Sequence, residues 1–309
     1  MPRFPEWIID EARKNKAALR QKPSLNTIAD LSAHRLRTVC DEALCPNKGG
    51  CFAEGEATFL ILGAACTRTC RFCAVSKAAP LPPDPGEPER VGELSKKWGL
   101  KYAVFTSPTR DDLPDGGAGH FARTAAAVKK ADARVKVELL IPDFNGEIKA
   151  LETVLDSNPD VLGHNIETVP GLYAKVRAGA DYKRSLNLIK ASKRLRPDIF
   201  TKSGLMLGLG ETEKEIDAVL NDLRDHNCEL LTLGQYLAPS NAHLPVVRYL
   251  PPDEFARRGE KAEKMGFKAV LAGPLVRSSY RAGRLYQAAR EVDRTAAQVH
   301  GSPVQRFNG

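Results

Sequence analysis

The chain has 309 residues, of which 42% are hydrophobic and 27% are charged, a balance typical of a folded globular protein. It contains no run of about eighteen apolar residues, and residues 1–19 include acidic side chains and lack the apolar core of a secretory signal, so we expect a cytoplasmic protein without a membrane partner. The formal net charge is +8, but the basic residues are dispersed, which argues against a nucleic-acid partner and leaves an acidic protein or an ordinary solvated surface as the explanation.

The first predicted elements are two helices. The pattern predicts one helix over residues 5–19, then an irregular stretch through Asn26, and a second, short helix around residues 28–39.

A first group of cysteines follows, spaced Cys-x4-Cys-x5-Cys at Cys40, Cys45 and Cys51. The proline and glycines among them predict a turn-rich loop in which the three thiols converge. Zinc, completed by a histidine such as His34, is one interpretation. An iron–sulfur cluster is the other, and it is favoured because the next cysteine group already requires cluster chemistry. Seven cysteines in a reducing compartment favour metal ligation over disulfides.

A second group, Cys66, Cys70 and Cys73, is spaced Cys-x3-Cys-x2-Cys and follows the apolar run at residues 57–62. A structural zinc site needs a fourth ligand, and no further cysteine pair or histidine follows for some distance. Three close thiolates instead suit a [4Fe-4S] cluster with one open iron. Buried structural cysteines rarely cluster around a polar loop, so this group predicts a cluster site.

The rest of the chain predicts an α/β fold. Residues 78–88 are proline-rich and predict a stiff connector. Apolar runs then alternate with helical patterns, which predicts βα units on a parallel sheet. The predicted strands are residues 57–62, 102–106, 135–141, 161–165, 201–207 and 230–235, and the helices are 90–98, 120–130, 147–155, 181–195 and 211–226. Six units predict a partial (β/α)6 TIM-type barrel. A seventh apolar run, at 267–272 behind a helix at 253–265, is assigned to a C-terminal extension.

Polar residues follow the predicted strands, where barrel enzymes carry their functional groups. Asn165 and Glu167 are two residues apart and share a face if the strand continues, so they either bind ribose hydroxyls of a cofactor or form a local cap or salt bridge. Gly208, Leu209 and Gly210 precede a helix and predict either an anion site or a tight turn.

Three other polar or sulfur-containing residues have simpler explanations. We expect His164 to be structural and Cys228 to be a small core residue. Lys202 either faces the barrel mouth or pairs with a carboxylate.

Several stretches together resemble the lipoyl synthase family, which is part of the radical S-adenosylmethionine (SAM) superfamily. They are residues 40–51, the Cys66 group, and residues 110–118, 159–170, 201–211, 234–245 and 277–280, the last reading Arg-Ser-Ser-Tyr. The resemblance covers about residues 36–286. It implies three segments: an N-terminal cluster-binding extension (1–55), a partial radical SAM barrel (56–250) and a C-terminal extension (251–309).

The resemblance also implies cofactors and ligands, namely two [4Fe-4S] clusters and S-adenosylmethionine. Cys66, Cys70 and Cys73 would hold the cluster that reduces S-adenosylmethionine, and Phe72 would lie beside its adenine. Cys40, Cys45 and Cys51, with Ser279 as the fourth ligand, would hold an auxiliary cluster. Asn165 and Glu167 would contact the cofactor. No catalytic residue is expected beyond the cluster ligands.

The implied reaction is that of a sulfurtransferase. A radical removes hydrogen at C6 and C8 of an octanoyl-lysine, and the auxiliary cluster supplies both sulfur atoms. The implied partners are octanoylated lipoyl-carrier domains or the H-type protein of glycine cleavage, an electron donor and a carrier that rebuilds the consumed cluster.

The chain departs from the usual family pattern at Ala74 and in the proline-rich segment 80–88, and neither departure removes a ligand. The alternatives are another sulfur-inserting radical SAM enzyme, or a non-catalytic metal protein that binds nucleic acid. The first cysteine group argues against the former, and the dispersed charge argues against the latter.

Overall fold

The computed structural model describes residues 4–300, and its centre is one sheet of seven strands. All strands run parallel in chain order, each pairing with its sequence neighbours. They are β1 (Thr58–Leu60), β2 (Tyr102–Thr106), β3 (Lys136–Leu140), β4 (Val161–Gly163), β5 (Phe200–Leu207), β6 (Leu230–Gln235) and β7 (Ala269–Gly273). Strands β1 and β7 are the two edges of the sheet, so the barrel is open on one side.

The α/β class and the partial TIM-type barrel are confirmed, but the expected count of six strands is one too low. The seventh apolar run does not stand apart in an extension. It forms β7, which pairs with β6 from Leu230 opposite Ala269 to Gly234 opposite Gly273. The division of the chain at residue 250 stays a prediction, although the segment behind it completes the sheet.

Twelve α-helices lie among the described residues. They are α1 (Glu6–Ala18), α2 (Lys22–Ala33), α3 (Val39–Glu42), α4 (Lys48–Ala53), α5 (Glu87–Lys97), α6 (Ala118–Ala131), α7 (Ile148–Leu155), α8 (Tyr173–Val176), α9 (Tyr182–Leu195), α10 (Glu213–Asp225), α11 (Pro252–Lys264) and α12 (Ala282–His300). Crossover helices such as α7 and α10 bury an apolar stripe against a sheet in which β1 to β6 are mostly buried on both faces and the edge strand β7 is partly exposed. Local signals set their starts, as in the reciprocal capping box of Thr212 and Glu215 at α10.

The region before β1 is more helical than the sequence predicts. Helix α2 begins at Lys22, where Pro23 lies in the first turn, so the expected irregular stretch through Asn26 is wrong. The expected turn-rich cysteine loop contains the short helices α3 and α4. Gly49 lies inside α4 because the backbone of α1 packs directly on it. A Cβ atom at Gly49 would lie 1.8 Å from the Asn15 carbonyl oxygen.

The interior of the barrel contains a buried ion pair. Nζ of Lys202 on β5 donates to Oε1 of Glu138 on β3 at 2.7 Å, and the Tyr102 hydroxyl donates to the other carboxylate oxygen at 2.6 Å. Lys202 is 2% exposed and Glu138 is 1% exposed. Of the two explanations for Lys202, pairing with a carboxylate is therefore right. Tyr286 of α12 packs against Tyr102 and Phe200.

Candidate active site

A cavity of about 710 Å³ opens at the carboxyl ends of the strands. Residues that end or follow five strands line it: Leu60, Thr106, Leu140, Asn165 and Gln235. Helix α1 and the residues around Cys45 line it as well. The cavity therefore lies where parallel barrels place their functional groups, with the N-terminal segment packed against it.

Cys66, Cys70 and Cys73 all line this cavity. Their loop is fixed by backbone hydrogen bonds, from the amide of Cys66 to the Ser76 carbonyl at 2.8 Å and from the amide of Thr67 to the Thr109 carbonyl at 3.0 Å. Burial raises the pKa of the Cys70 thiol to about 11 and also raises that of Cys73. Both thiols therefore favour the protonated form unless a cation binds them.

Arg68, inside this loop, ties it to two neighbouring strand ends. Its guanidinium donates to Asp111 at 2.9 Å, to Asp143 at 2.6 Å and to Asn145 at 2.8 Å. Burial raises the pKa of the Asp143 carboxyl, but the hydrogen bond and charge of Arg68 outweigh burial and hold this pKa below its usual range. The ionised, buried Asp143 also pairs with Arg184, so the cysteine loop is anchored by charge.

The first cysteine group approaches the same cavity. Cys40 and Cys45 line it, whereas Cys51, on α4, lies outside the lining. The Cys40 thiol donates to Cys45, which together with the Arg277 charge lowers the Cys45 pKa to about 6. Burial raises the pKa of Cys51 to about 12. Cys45 is thus the thiol of this group that most readily becomes a thiolate.

The loop after β7 carries Ser279 to the cavity. The Asn47 side chain, two residues beyond Cys45, donates to the Leu275 carbonyl at 2.5 Å and links this loop to the first cysteine group. Gly234 on β6 lets the loop pack against the sheet, because a Cβ atom there would lie 2.1 Å from the Val276 carbonyl oxygen. Ser279 and the thiols of Cys40 and Cys45 therefore face one space.

Asn165 and Glu167 also line the cavity, and the Asn165 amide donates to Glu167 at 3.0 Å. Strand β4 ends at Gly163, but Glu167 forms an isolated bridge with Leu205 that keeps it in line with the sheet. The Asn165 Oδ1 atom is buried and has no hydrogen-bond partner among the described residues. Gly204 beside it has no side chain, and a Cβ there would lie 3.0 Å from that oxygen.

The remaining candidate residues have settled positions. Phe72 lines the cavity and packs with the apolar cluster around Tyr236. Cys228 is fully buried in the core, as expected.

His34 does not line the cavity, and its ring forms a hydrogen bond with the Asp30 carbonyl at 2.7 Å. The amides of Gly208 and Leu209 donate to Glu211, so the tight-turn interpretation holds.

No three His, Cys, Asp or Glu side chains in residues 4–300 converge as a single metal ion requires. A cubane cluster binds each thiolate to a different iron and therefore needs a wider spacing than one ion does.

Cations dominate the cavity, and sequence reasoning missed them. Six basic residues line it, namely Arg13, Lys16, Arg68, Lys77, Arg177 and Arg277, whereas Glu167 is the one carboxylate in the lining. Arg68, between two clustered cysteines, and Arg277, in the Arg-Ser-Ser-Tyr stretch, lie in segments that the sequence singled out, but nothing in the sequence indicated that their charges meet in one cavity. The environment therefore favours anionic ligands.

His164 is structural, as expected: its Nδ1 lies 2.9 Å from the Ile141 carbonyl and its Nε2 lies 3.0 Å from the Ser185 hydroxyl. Burial, with Arg177 nearby, lowers its pKa to about 3. The unfolded chain therefore takes up a proton near pH 6.5 and the folded chain does not, so stability is lost as the pH falls below 6.5.

We expect this loss to reach about 1.4 kcal/mol at pH 5.5. Urea unfolding at pH 7.5 and pH 5.5 measures it. The change should shrink by that amount in His164→Asn, whose amide does not titrate. An equal change in both proteins would contradict the neutral, buried state of the imidazole.

The known proteins to which this chain is similar agree with one another. The model of the Radical SAM superfamily matches residues 60–223. The lipoyl synthase of Caldanaerobacter subterraneus subsp. tengcongensis is 52% identical over 91% of this chain and 96% of its own length, and that of Geobacter metallireducens is 53% identical over 91% and 97%.

Solved structures share the fold at low identity. HydG, a maturase of the [FeFe]-hydrogenase, has a TM-score of 0.54 at 14% identity, covering 86% of this chain and 66% of that one. SuiB of Streptococcus suis bound to S-adenosylmethionine has a TM-score of 0.52 at 11% identity, covering 67% and 46%. No helix among the described residues is long and apolar enough to cross a membrane.

Proposed function

The chain belongs to the lipoyl synthase family of the radical SAM superfamily, and we propose that it inserts two sulfur atoms, at C6 and C8, into an octanoyl chain carried on a lysine. It is a radical SAM sulfurtransferase with S-adenosylmethionine and two [4Fe-4S] clusters as its cofactors. One observation carries the proposal for the site: thiols of both cysteine groups, Ser279 and the Asn165 pair line one cavity.

The donor atoms fit the two clusters. We assign the radical-generating cluster to Cys66, Cys70 and Cys73; burial raises the pKa of the Cys70 and Cys73 thiols, which a bound cation would offset. We assign the auxiliary cluster to Cys40, Cys45, Cys51 and Ser279, and the low pKa of Cys45 supports it as a ready thiolate. When bound, the first cluster would supply the electron that reduces S-adenosylmethionine, the source of the hydrogen-abstracting radical, and the auxiliary cluster would supply the two sulfur atoms.

The polar atoms fit S-adenosylmethionine. The orphaned Asn165 Oδ1 is an acceptor without a donor, and ribose hydroxyls would satisfy it. Gly204 lines the same cavity, and only a residue without a side chain fits there, because a Cβ atom would lie 2.8 Å from Thr232 Oγ1 and 3.0 Å from Asn165 Oδ1. Burial raises the pKa of Glu167, with Arg177 opposing, so a hydroxyl ligand suits this carboxyl in either protonation state. Phe72 offers an aromatic face to adenine.

The chain's own residues hold the acyl chain and exclude water. Apolar side chains from both ends of the cavity face it, including Ile8 of α1, Val39 of α3 and Leu205 of β5. An alkyl radical abstracts hydrogen from any close C–H group, so selectivity for C6 and C8 over the carbon between them requires that the acyl chain be held in a fixed position and shielded from water. Arg68, through Asp111 and Asp143, fixes the loop of the first cluster relative to this wall.

The loop that carries Ser279 gives a direct test of the ligand assignment. Gly234→Ala places a methyl group on the Val276 carbonyl and should push this loop off the sheet. We expect iron content to fall from about eight to about four per chain, since only the first cluster stays bound. Iron analysis and the absorption spectrum measure this. Gly171→Ala, beside the end of a flexible glutamate, is the matched control and should retain all iron.

The proposed reaction is tested anaerobically with reconstituted protein, S-adenosylmethionine, a reductant and an octanoyl-lysyl peptide. Mass spectrometry should detect a gain of two sulfur atoms, lost in Cys40→Ala, Cys45→Ala and Cys51→Ala. An unchanged peptide alongside 5′-deoxyadenosine would leave radical chemistry but assign a different substrate.

A lipoyl-domain octanoyl substrate accords with family membership. We propose that the carriers are octanoylated lipoyl-carrier domains or an H-type protein, that a separate electron donor and a cluster-repair carrier serve the chain, and that the reaction takes place in the cytoplasm.

A further inference from the structure

The mouth of the cavity is marked by residues that line it and are also exposed to solvent. Phe4 is 43% exposed, Leu44 is 64% exposed and the Arg13 side chain is 76% exposed. All three belong to α1, the residues just before it, or the turn between α3 and α4. These side chains therefore mark where the cavity opens to solvent.

Leu44 has an unusual backbone at this mouth. Its φ is +52°, a left-handed conformation that a leucine adopts only at a free-energy cost. It precedes Cys45 and lines both the large cavity and a second cavity of about 340 Å³ beneath α1. The strain presents an apolar side chain to solvent, where it contributes little to folding.

Helix α1 is held in place by contacts with α4, and it carries positive charge to the same mouth. The Gly50 amide donates to the Asn15 side chain at 2.9 Å, and Gly49 packs on the Asn15 carbonyl. In this position of the helix, Arg13 and Lys16 line the cavity, whereas Lys14, on the same helix, lines neither cavity. Arg13 meets Asp10 of the same helix at 3.4 Å in a solvent-exposed contact, and Lys16 forms no ion pair among the described residues, so both cations stay accessible to a partner.

We propose that this mouth, formed by Phe4, Leu44, Arg13 and Lys16, is the docking surface for an acidic carrier domain. The two apolar residues contact the aliphatic arm of the acylated lysine, and the two basic residues pair with carboxylates of the carrier. Charge complementarity and the apolar rim around a deep cavity carry this assignment. It rests on the proposed function, because that function supplies a protein-bound acyl chain.

The charge contribution is tested with cluster-loaded protein in the absence of reductant. The probe is an octanoylated lipoyl-carrier domain of net negative charge. We expect its Kd to rise roughly tenfold in Arg13→Glu/Lys16→Glu at low salt, with the difference largely lost at 0.5 M salt. The control Lys14→Glu/Arg20→Glu makes the same charge change on side chains outside the cavity. An equal rise in both variants would overturn the proposal.

The apolar contribution is tested with Leu44→Asn, because asparagine adopts the left-handed conformation readily. We expect Tm to rise by about 1–3 °C as strain is relieved, while the Kd of a short neutral octanoyl-lysyl peptide rises several-fold. A structural role would lower Tm and affinity together, and an unchanged Kd would remove Leu44 from the surface.

The two proposals fail in different ways. Wild-type protein that binds the carrier but inserts no sulfur would contradict the proposed function alone. Sulfur insertion with unaltered carrier binding by Arg13→Glu/Lys16→Glu would contradict the docking surface alone. A dimer in sedimentation that dissociates on the same substitutions would assign the surface to a second copy of the chain and overturn the carrier assignment.

Discussion

Replacing Ser279 by cysteine is expected to retain the auxiliary cluster but to slow sulfur insertion at least roughly tenfold. An alkoxide is a harder and poorer donor to cluster iron than a thiolate, so a serine-bound iron is the most easily lost. A cluster that gives up sulfur needs one such weakly bound iron. Ser279 lines the cavity that Cys40 and Cys45 also line, which makes a fourth thiolate geometrically feasible.

Iron content and the absorption spectrum report the cluster, and single-turnover mass spectrometry reports the sulfur. Ser278→Cys is the matched control, because Ser278 is adjacent to Ser279 in the sequence and also lines the cavity. It should leave sulfur insertion nearly unchanged. Equal turnover by wild type and Ser279→Cys would contradict the role of a weakly bound serine ligand. Loss of turnover only in Ser278→Cys would assign the ligand to Ser278 instead.

Replacing Lys202 by methionine is expected to destabilise the barrel by about 3–5 kcal/mol. The substitution leaves the Glu138 carboxylate buried with only the Tyr102 hydroxyl as partner. An uncompensated charge in the interior costs far more than the pair contributes when intact. Thermal unfolding followed by circular dichroism should show Tm lower by roughly 5–10 °C.

The double variant Lys202→Met/Glu138→Leu is the control, since it removes both charges. Its stability should return to within about 1–2 kcal/mol of wild type, because well-packed apolar residues often replace a buried ion pair at little cost. Destabilisation of the double variant equal to the sum of the single variants would contradict the argument and point to packing alone.

The sheet was predictable because its strands are buried on both faces. Such strands are short apolar runs, and the predicted limits of β2 and β6 match the structure residue for residue. The assignment of β7 failed for a different reason. Its sequence resembles the other strands, but only its pairing with β6 shows that it belongs to the sheet.

The short helices that carry the first cysteine group and the pairing of the cavity arginines could not be predicted, because both depend on tertiary contacts. Glycines normally disfavour helix, yet Gly49 is helical because only a residue without a side chain fits against Asn15. Arg68 finds Asp143 75 residues away, a pairing that no local pattern encodes. The thiol spacings, in contrast, are local, so the candidate ligands were visible in the sequence although their shared cavity was not.

The hydrogen bond from Asn47 to the Leu275 carbonyl joins positions 228 residues apart. During synthesis, the first cysteine group leaves the ribosome long before Ser279 does. A growing chain therefore contains every thiol while the loop that closes the auxiliary site has not yet been made. The proposed four-ligand site is therefore complete only after residue 279 has been synthesised, and a prematurely released chain retains the thiols of both groups without that serine.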